Sequence, residues 1–116
     1  SEALARRDPA NTEWQRDLSA SHDRIGDVRV AQGDRPGALA AYQKSLDIRE
    51  ALAGRDPTNA EWQRDLIVSY VKLSEGLNDR GYARKALEVA RAMQRRGILA
   101  PVDAWMVEEL KRRAGE

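Results

Sequence analysis

Residues 8–18 read DPANTEWQRDL, and residues 56–66 repeat them almost letter for letter as DPTNAEWQRDL. The two stretches lie 48 positions apart, and 15 of 20 positions are identical between residues 2–21 and 50–69. Self-similarity at a fixed spacing of about 20 to 50 residues is typical of proteins built from stacked copies of one structural unit. The repeat therefore predicts two copies of a 48-residue unit, followed by about 20 residues that lie outside it.

Each unit carries the pattern of two α-helices. In the first unit, apolar and small residues recur every three or four positions from Trp14 to Val28, which places them on one helical face. Asn11 or Thr12 can cap the start of this helix, and Gly33 predicts its end. We expect helices over residues 11–32, 35–53, 59–80 and 82–96, with a break at Gly81 and a last helix after Pro101. The predicted inner faces of the two long first helices are Trp14, Leu18, Ser21, Ile25 and Val28, then Trp62, Leu66, Ser69, Tyr70, Leu73 and Leu77.

Composition and charge exclude several classes of protein. The chain has no Cys, which excludes a disulfide scaffold and a thiolate metal site. It has 20 basic and 19 acidic residues, a balance that argues against nucleic-acid binding. No apolar run is long enough to cross a membrane and no secretion leader is visible, so we expect a cytoplasmic protein.

The residues that could carry catalysis are few. His22 is the one histidine, and its counterpart 48 positions later is Tyr70, so it is expected to fill an aromatic packing position. The serines lie within predicted helices, and the glycines form no phosphate-binding loop. We expect no enzyme activity, no cofactor and no metal. Gly26 is predicted to allow close helix approach, and Trp105 to seal the last pair of helices.

The turn between the two helices of the first unit reads QGDRPGALAAY over residues 32–42, and Asp-Pro-x-Asn follows at residues 56–59. This pattern resembles the tetratricopeptide repeat, whose unit has about 34 residues. The longer unit here is similar to the extended-helix repeats of long bacterial signalling and scaffold proteins. The resemblance implies an all-α, right-handed solenoid of antiparallel helix pairs. Its expected parts are the tail of a preceding repeat (1–7), repeat one (8–55), repeat two (56–97) and a capping helix (98–116), together a piece of a longer protein.

The resemblance also implies a concave groove lined by the first helix of each pair. The groove positions that it implies are Arg16, Ala20, Asp23, Asp27, Val30 and Ala31, then Arg64, Val68, Val71, Glu75, Asn78 and Asp79. Carboxylates at its centre would favour a peptide that carries Lys or Arg. The alternative is that these carboxylates are solvated, or paired with Arg24 and Lys72.

Two functions follow as hypotheses. The first is a protein-interaction module that binds a peptide or a partner helix in the groove. The second is a structural spacer that associates with itself through its N-terminal edge, or a regulatory arm of a larger signalling protein.

Overall fold

A computed structural model describes residues 11–116, and in these residues it contains helices and no β-strand. The helices are α1 (Thr12–Ala31), α2 (Arg35–Arg55), α3 (Ala60–Leu77), α4 (Arg80–Arg95) and α5 (Met106–Ala114), with a short 3-10 helix at Pro101–Asp103. The main contacts join helices that follow each other in the chain: α1 with α2, α2 with α3, α3 with α4, and α4 with α5. The all-α prediction is confirmed, whereas the expected repeat tail at residues 1–7 lies outside the described residues.

The two repeated stretches begin their helices in the same way. The side chain of Asn11 accepts a hydrogen bond of 3.0 Å from the backbone N–H of Trp14, and Asn59 accepts one of the same length from Trp62. An asparagine oxygen at this position satisfies one of the backbone donors that a helix start leaves unpaired. The sequence repeat therefore corresponds to a repeat of the N-terminal cap.

The turn between the two helices of a unit does not keep the spacing of 48. Gly33 has a φ of +75° at the end of α1, and Asn78 has a φ of 51° at the end of α3. Asp34 and Asp79 then cap α2 and α4. Both pairs of residues lie 45 positions apart, so the second unit is three residues shorter here. The predicted break at Gly81 is wrong, because Asn78 adopts the left-handed conformation and Gly81 lies in the first turn of α4.

This change of register alters which residues of α4 correspond to those of α2. The buried positions correspond as Ala38 with Ala83, Tyr42 with Leu87, and Ser45 with Ala90. Leu87 therefore takes the place of the Tyr42 ring, rather than Ala90 as an unbroken spacing of 48 would imply.

The predicted inner face is confirmed for most of α3 and wrong for much of α1. Leu66, Ser69, Tyr70 and Leu73 are buried, with Leu77 exposed at the end of α3. On α1, Ile25 and Val28 are exposed, whereas Ser19, Asp23 and Gly26 are the buried residues. The reason is position: α3 lies against both α2 and α4, whereas among the described residues α1 has its main packing contact with α2.

Gly26 and Gly54 provide a matched pair for a stability test. A Cβ on Gly26 would lie 2.6 Å from Cδ1 of the Tyr42 ring, whereas one on Gly54 would meet nothing within 4 Å. The expected close approach at Gly26 is thus confirmed. We expect Gly26→Ala to lower the free energy of unfolding by about 1–3 kcal/mol, because the ring must move. Gly54→Ala should raise it by about 0.5–1 kcal/mol, because alanine restricts the unfolded chain.

Urea unfolding followed by circular dichroism measures both values. A Gly26→Ala variant as stable as the unaltered chain would contradict the close packing of α1 on Tyr42.

Candidate functional site

A pocket of about 370 Å³ opens between α3 and α5. Its apolar lining consists of Ile67, Val68, Val71, Met106 and Leu110. Trp105 also lines the pocket, yet 61% of its surface is exposed. The pocket is therefore an apolar depression with a large aromatic side chain at its solvent side. We call it the α3–α5 groove.

Charged residues also line this pocket, and they form ion pairs. Arg113 of α5 lies 2.5 Å from Glu75 of α3 and 3.0 Å from Glu109, measured between guanidinium nitrogen and carboxylate oxygen. Hydrogen bonds from Arg112 and then Arg113 lower the pKa of Glu109 to about 2. Glu109 is therefore ionised near neutral pH, and both carboxylates of the groove are paired with arginine.

One row of ion pairs joins successive units through an arginine. Nε of Arg16 on α1 lies 2.6 Å from Oδ2 of Asp65 on α3. Nε of Arg64 on α3 lies 2.9 Å from Oδ2 of Asp103 in the 3-10 helix. Arg16 and Arg64 occupy the same position of the repeat. Each arginine thus pairs its own helix with a carboxylate from a later segment of the chain.

A second row has the opposite polarity. Oδ1 of Asp27 on α1 lies 3.0 Å from Nζ of Lys72 on α3. Glu75 of α3 occupies the position of Asp27 in the second unit, and it pairs with Arg113 of α5. The Tyr42 hydroxyl also donates a 2.5 Å hydrogen bond to Asp27. This bond, followed by the Lys72 ammonium, holds the pKa of Asp27 below its usual value. Pairing with Lys72 is among the alternatives left open by the sequence, and the structure contains this pair with the Asp27 side chain 56% exposed.

Asp23 is not a groove residue. Its Oδ2 lies 2.6 Å from Nη1 of Arg49 on α2, and both residues are buried. Arg49 also donates hydrogen bonds to the hydroxyls of Ser19 and Ser69, at 3.1 and 3.0 Å. The groove prediction for Asp23 is wrong because this side of α1 packs on α2, where the carboxylate compensates the buried guanidinium.

The remaining predicted groove residues do not all lie in one place. Arg64, Val71 and Glu75 line the α3–α5 groove together with Val68. Arg16 and Asp27 make the cross-helix ion pairs described above. Val30 is exposed near the end of α1, outside this groove, while Asn78 and Asp79 form the α3–α4 turn, where Asn78 ends one helix and Asp79 caps the next.

Sequence reasoning missed the wall that α5 contributes. The expectation that Trp105 seals the last helix pair is wrong. The 3-10 helix at Pro101–Asp103 precedes α5, so Met106 and Leu110 are buried and Trp105 remains exposed. The sequence signal was a tryptophan next to the apolar residues Met106 and Leu110, but the orientation of its side chain depends on that turn.

Within residues 11–116, no three or more acidic, histidine or cysteine side chains are grouped so that they could bind a metal ion. None of the helices in the same range has both the length and the apolar character that a membrane span requires. Comparison with protein-family models, with curated proteins and with solved structures finds no match to this chain.

Proposed function

We propose that this chain is a protein-interaction module that holds an apolar side chain of a peptide or partner helix in the α3–α5 groove. The observation that carries the proposal is the exposed Trp105 beside an open apolar pocket. Tryptophan is enriched among the residues that dominate binding energy at protein interfaces. An exposed large aromatic next to apolar walls therefore favours a binding surface over a solvated one.

The size of the pocket limits the anchor that it can accept. A volume of about 370 Å³ is at the lower end of ligand pockets, which range over roughly 300–1,000 Å³. It can hold one large apolar side chain, such as leucine, methionine or an aromatic residue. Peptide groups on either side of that anchor would lie near Arg64 and Lys72 at the edge of the groove.

The charge pattern makes the apolar anchor the main source of affinity. A basic residue of a peptide would have to compete with Lys72 for Asp27 and with Arg113 for Glu75. Burial of an apolar side chain against Val71 and Trp105 requires no such exchange. A basic flank would then adjust specificity rather than supply most of the binding energy.

The repeated caps and the sequential packing of the helices support a tetratricopeptide-like stack as the framework of this module. In such a stack the first helices of the units lie side by side on one face of the molecule. In this proposal α3 is one of those first helices, and the capping helix α5 lies next to it and completes the groove. The proposal involves no catalytic step and no cofactor.

A selection from a phage-displayed library of random peptides tests the proposal. We expect enriched peptides to share an apolar anchor and to bind with a Kd in the micromolar range, about −8 kcal/mol. Val71→Glu should weaken binding at least about tenfold, because it places a charge in the apolar wall. Val102→Glu is the matched control, since Val102 is 78% exposed and lies outside the pocket.

Fluorescence anisotropy of the labelled peptides measures both effects, and the Trp105 indole N–H resonance should shift on binding. The proposal fails if no peptide is enriched, or if Val71→Glu and Val102→Glu bind the selected peptides equally well.

A further inference from the structure

A second apolar surface lies on α1, on the side that α2 does not cover. Ile25 is 47% exposed and Val28 is 55% exposed. With Ser21 they line a shallow depression formed by residues of α1 and its C-cap, with Arg24, Arg29 and Gln32 around them. We call this surface the α1 stripe, and it is separate from the α3–α5 groove.

The second unit shows what covers the same positions there. Ser69 and Leu73, the counterparts of Ser21 and Ile25, are 0% and 1% exposed in α3, a helix on which α2 packs. Arg49 of α2 donates a hydrogen bond to Ser69, and Gln63 donates a 3.0 Å bond to the carbonyl oxygen of Ala53. The C-terminal part of α2 therefore lies over the N-terminal half of α3.

The other end of the same interface fixes the direction of the helices. Arg35, at the start of α2, donates hydrogen bonds to the carbonyl oxygen of Gly76, near the end of α3. Leu39 also lies against Gly76, where a Cβ would be 2.8 Å from Leu39 Cδ2. The helix that covers α3 is thus antiparallel to it.

We propose that the α1 stripe binds an amphipathic helix with the residue pattern of α2, placed antiparallel on α1 as α2 is placed on α3. The repeated sequence supplies the reason: the two surfaces share their serine and a large aliphatic residue at matching positions, and one of them already binds such a helix. The occupant is therefore a helix with apolar residues at the positions of Leu46 and Ala53, which belong to the apolar cluster that includes Leu66 and Leu73.

Two differences between α1 and α3 specify further the helix that would bind to the α1 stripe. Val28 stands where α3 has Gly76, so the occupant needs a residue smaller than leucine at the position of Leu39. His22 stands where α3 has Tyr70, whose hydroxyl donates a 2.8 Å bond to Glu50 of α2. An acidic residue at the position of Glu50 would also suit the neighbouring Arg24.

A second copy of this chain fits the stripe less well. If the α1 stripes of two copies met, Arg24 and Arg29 of both copies would lie close together. Repulsion between these like charges would disfavour the contact. The outer side of its α5 presents the exposed charged residues Glu108 and Arg112. Neither surface offers the row of apolar residues that α2 offers to α3.

A labelled peptide of residues 34–55 with the change Leu39→Ala tests the proposal against the full chain. We expect saturable binding in fluorescence anisotropy, and at least about tenfold weaker binding of the peptide that keeps Leu39. Ile25→Glu in the chain should abolish binding. Val71→Glu should leave binding unchanged, which separates this surface from the groove of the proposed function.

Three results would overturn the proposal. The first is no binding at a peptide concentration of about 1 mM, which corresponds to roughly −4 kcal/mol. The second is binding that Ile25→Glu does not weaken, since the peptide would then have replaced α2 on α3. The third is a molecular mass that rises with concentration in light scattering and returns to that of a monomer in Ile25→Glu, because a second copy would then cover the stripe.

Discussion

Arg49→Met is expected to lower the free energy of unfolding by about 3–5 kcal/mol. Arg49 is 7% exposed and Asp23 is 8% exposed, and their side chains are 2.6 Å apart. Removal of the guanidinium leaves the Asp23 carboxylate buried without its cation, and Oδ1 of that carboxylate already has no hydrogen-bond partner. An uncompensated buried charge is among the most destabilising changes that a single substitution can make.

The double variant Arg49→Met with Asp23→Leu distinguishes loss of packing from loss of charge compensation. We expect it to recover most of the stability lost in Arg49→Met, because a buried ion pair and apolar residues of similar volume often contribute similarly. Arg64→Met is the matched control for a cross-helix ion pair, since the Arg64 side chain is 49% exposed. We expect it to cost at most about 1 kcal/mol.

Urea unfolding of the unaltered chain, Arg49→Met, Asp23→Leu and the double variant gives the coupling free energy between residues 23 and 49. If the free energies of unfolding lost in the two single variants simply add in the double variant, the two side chains do not depend on each other. That result would contradict the buried network.

Leu73→Ala is expected to lower the free energy of unfolding by about 2–5 kcal/mol. Leu73 is 1% exposed and belongs to the main apolar cluster, which also contains residues of α2 and α4. Truncation removes buried apolar surface and leaves a cavity that rigid helices fill only in part.

Ile25→Ala is the matched control, because Ile25 occupies the same position of the repeat but is 47% exposed. We expect it to cost less than about 1 kcal/mol. A loss equal to that of Leu73→Ala would mean that the α1 stripe is covered in solution. In the presence of a helix bound to the stripe, the cost of Ile25→Ala should rise toward that of Leu73→Ala.

Local features of the fold could be predicted from the sequence. The caps at Asn11 and Asn59 and the left-handed turn at Gly33 depend on hydrogen bonds and backbone angles within a few residues. The shift at Asn78 escaped prediction because Gly81 happens to match Gly33 at the repeat spacing, whereas the residue that adopts the left-handed conformation is three positions earlier.

The candidate site was predictable only on the side that belongs to the repeat. Arg64, Val71 and Glu75, which line the α3–α5 groove, were predicted as groove residues because they occupy first-helix positions of the second unit. Trp105 and Arg113 were not found, because α5 lies outside the repeat and its rotation depends on the 3-10 helix before it.

The sequence by itself determined that the chain is helical, that it contains a repeated unit and where most of its helices begin. The tertiary structure decided which faces of those helices are covered. Ile25 and Leu73 occupy the same position of the repeat and lie on helices that begin alike, yet one is exposed and the other buried. The physical reason is that burial depends on the helices packed alongside in space, and α3 has α2 and α4 on either side whereas α1 packs on α2.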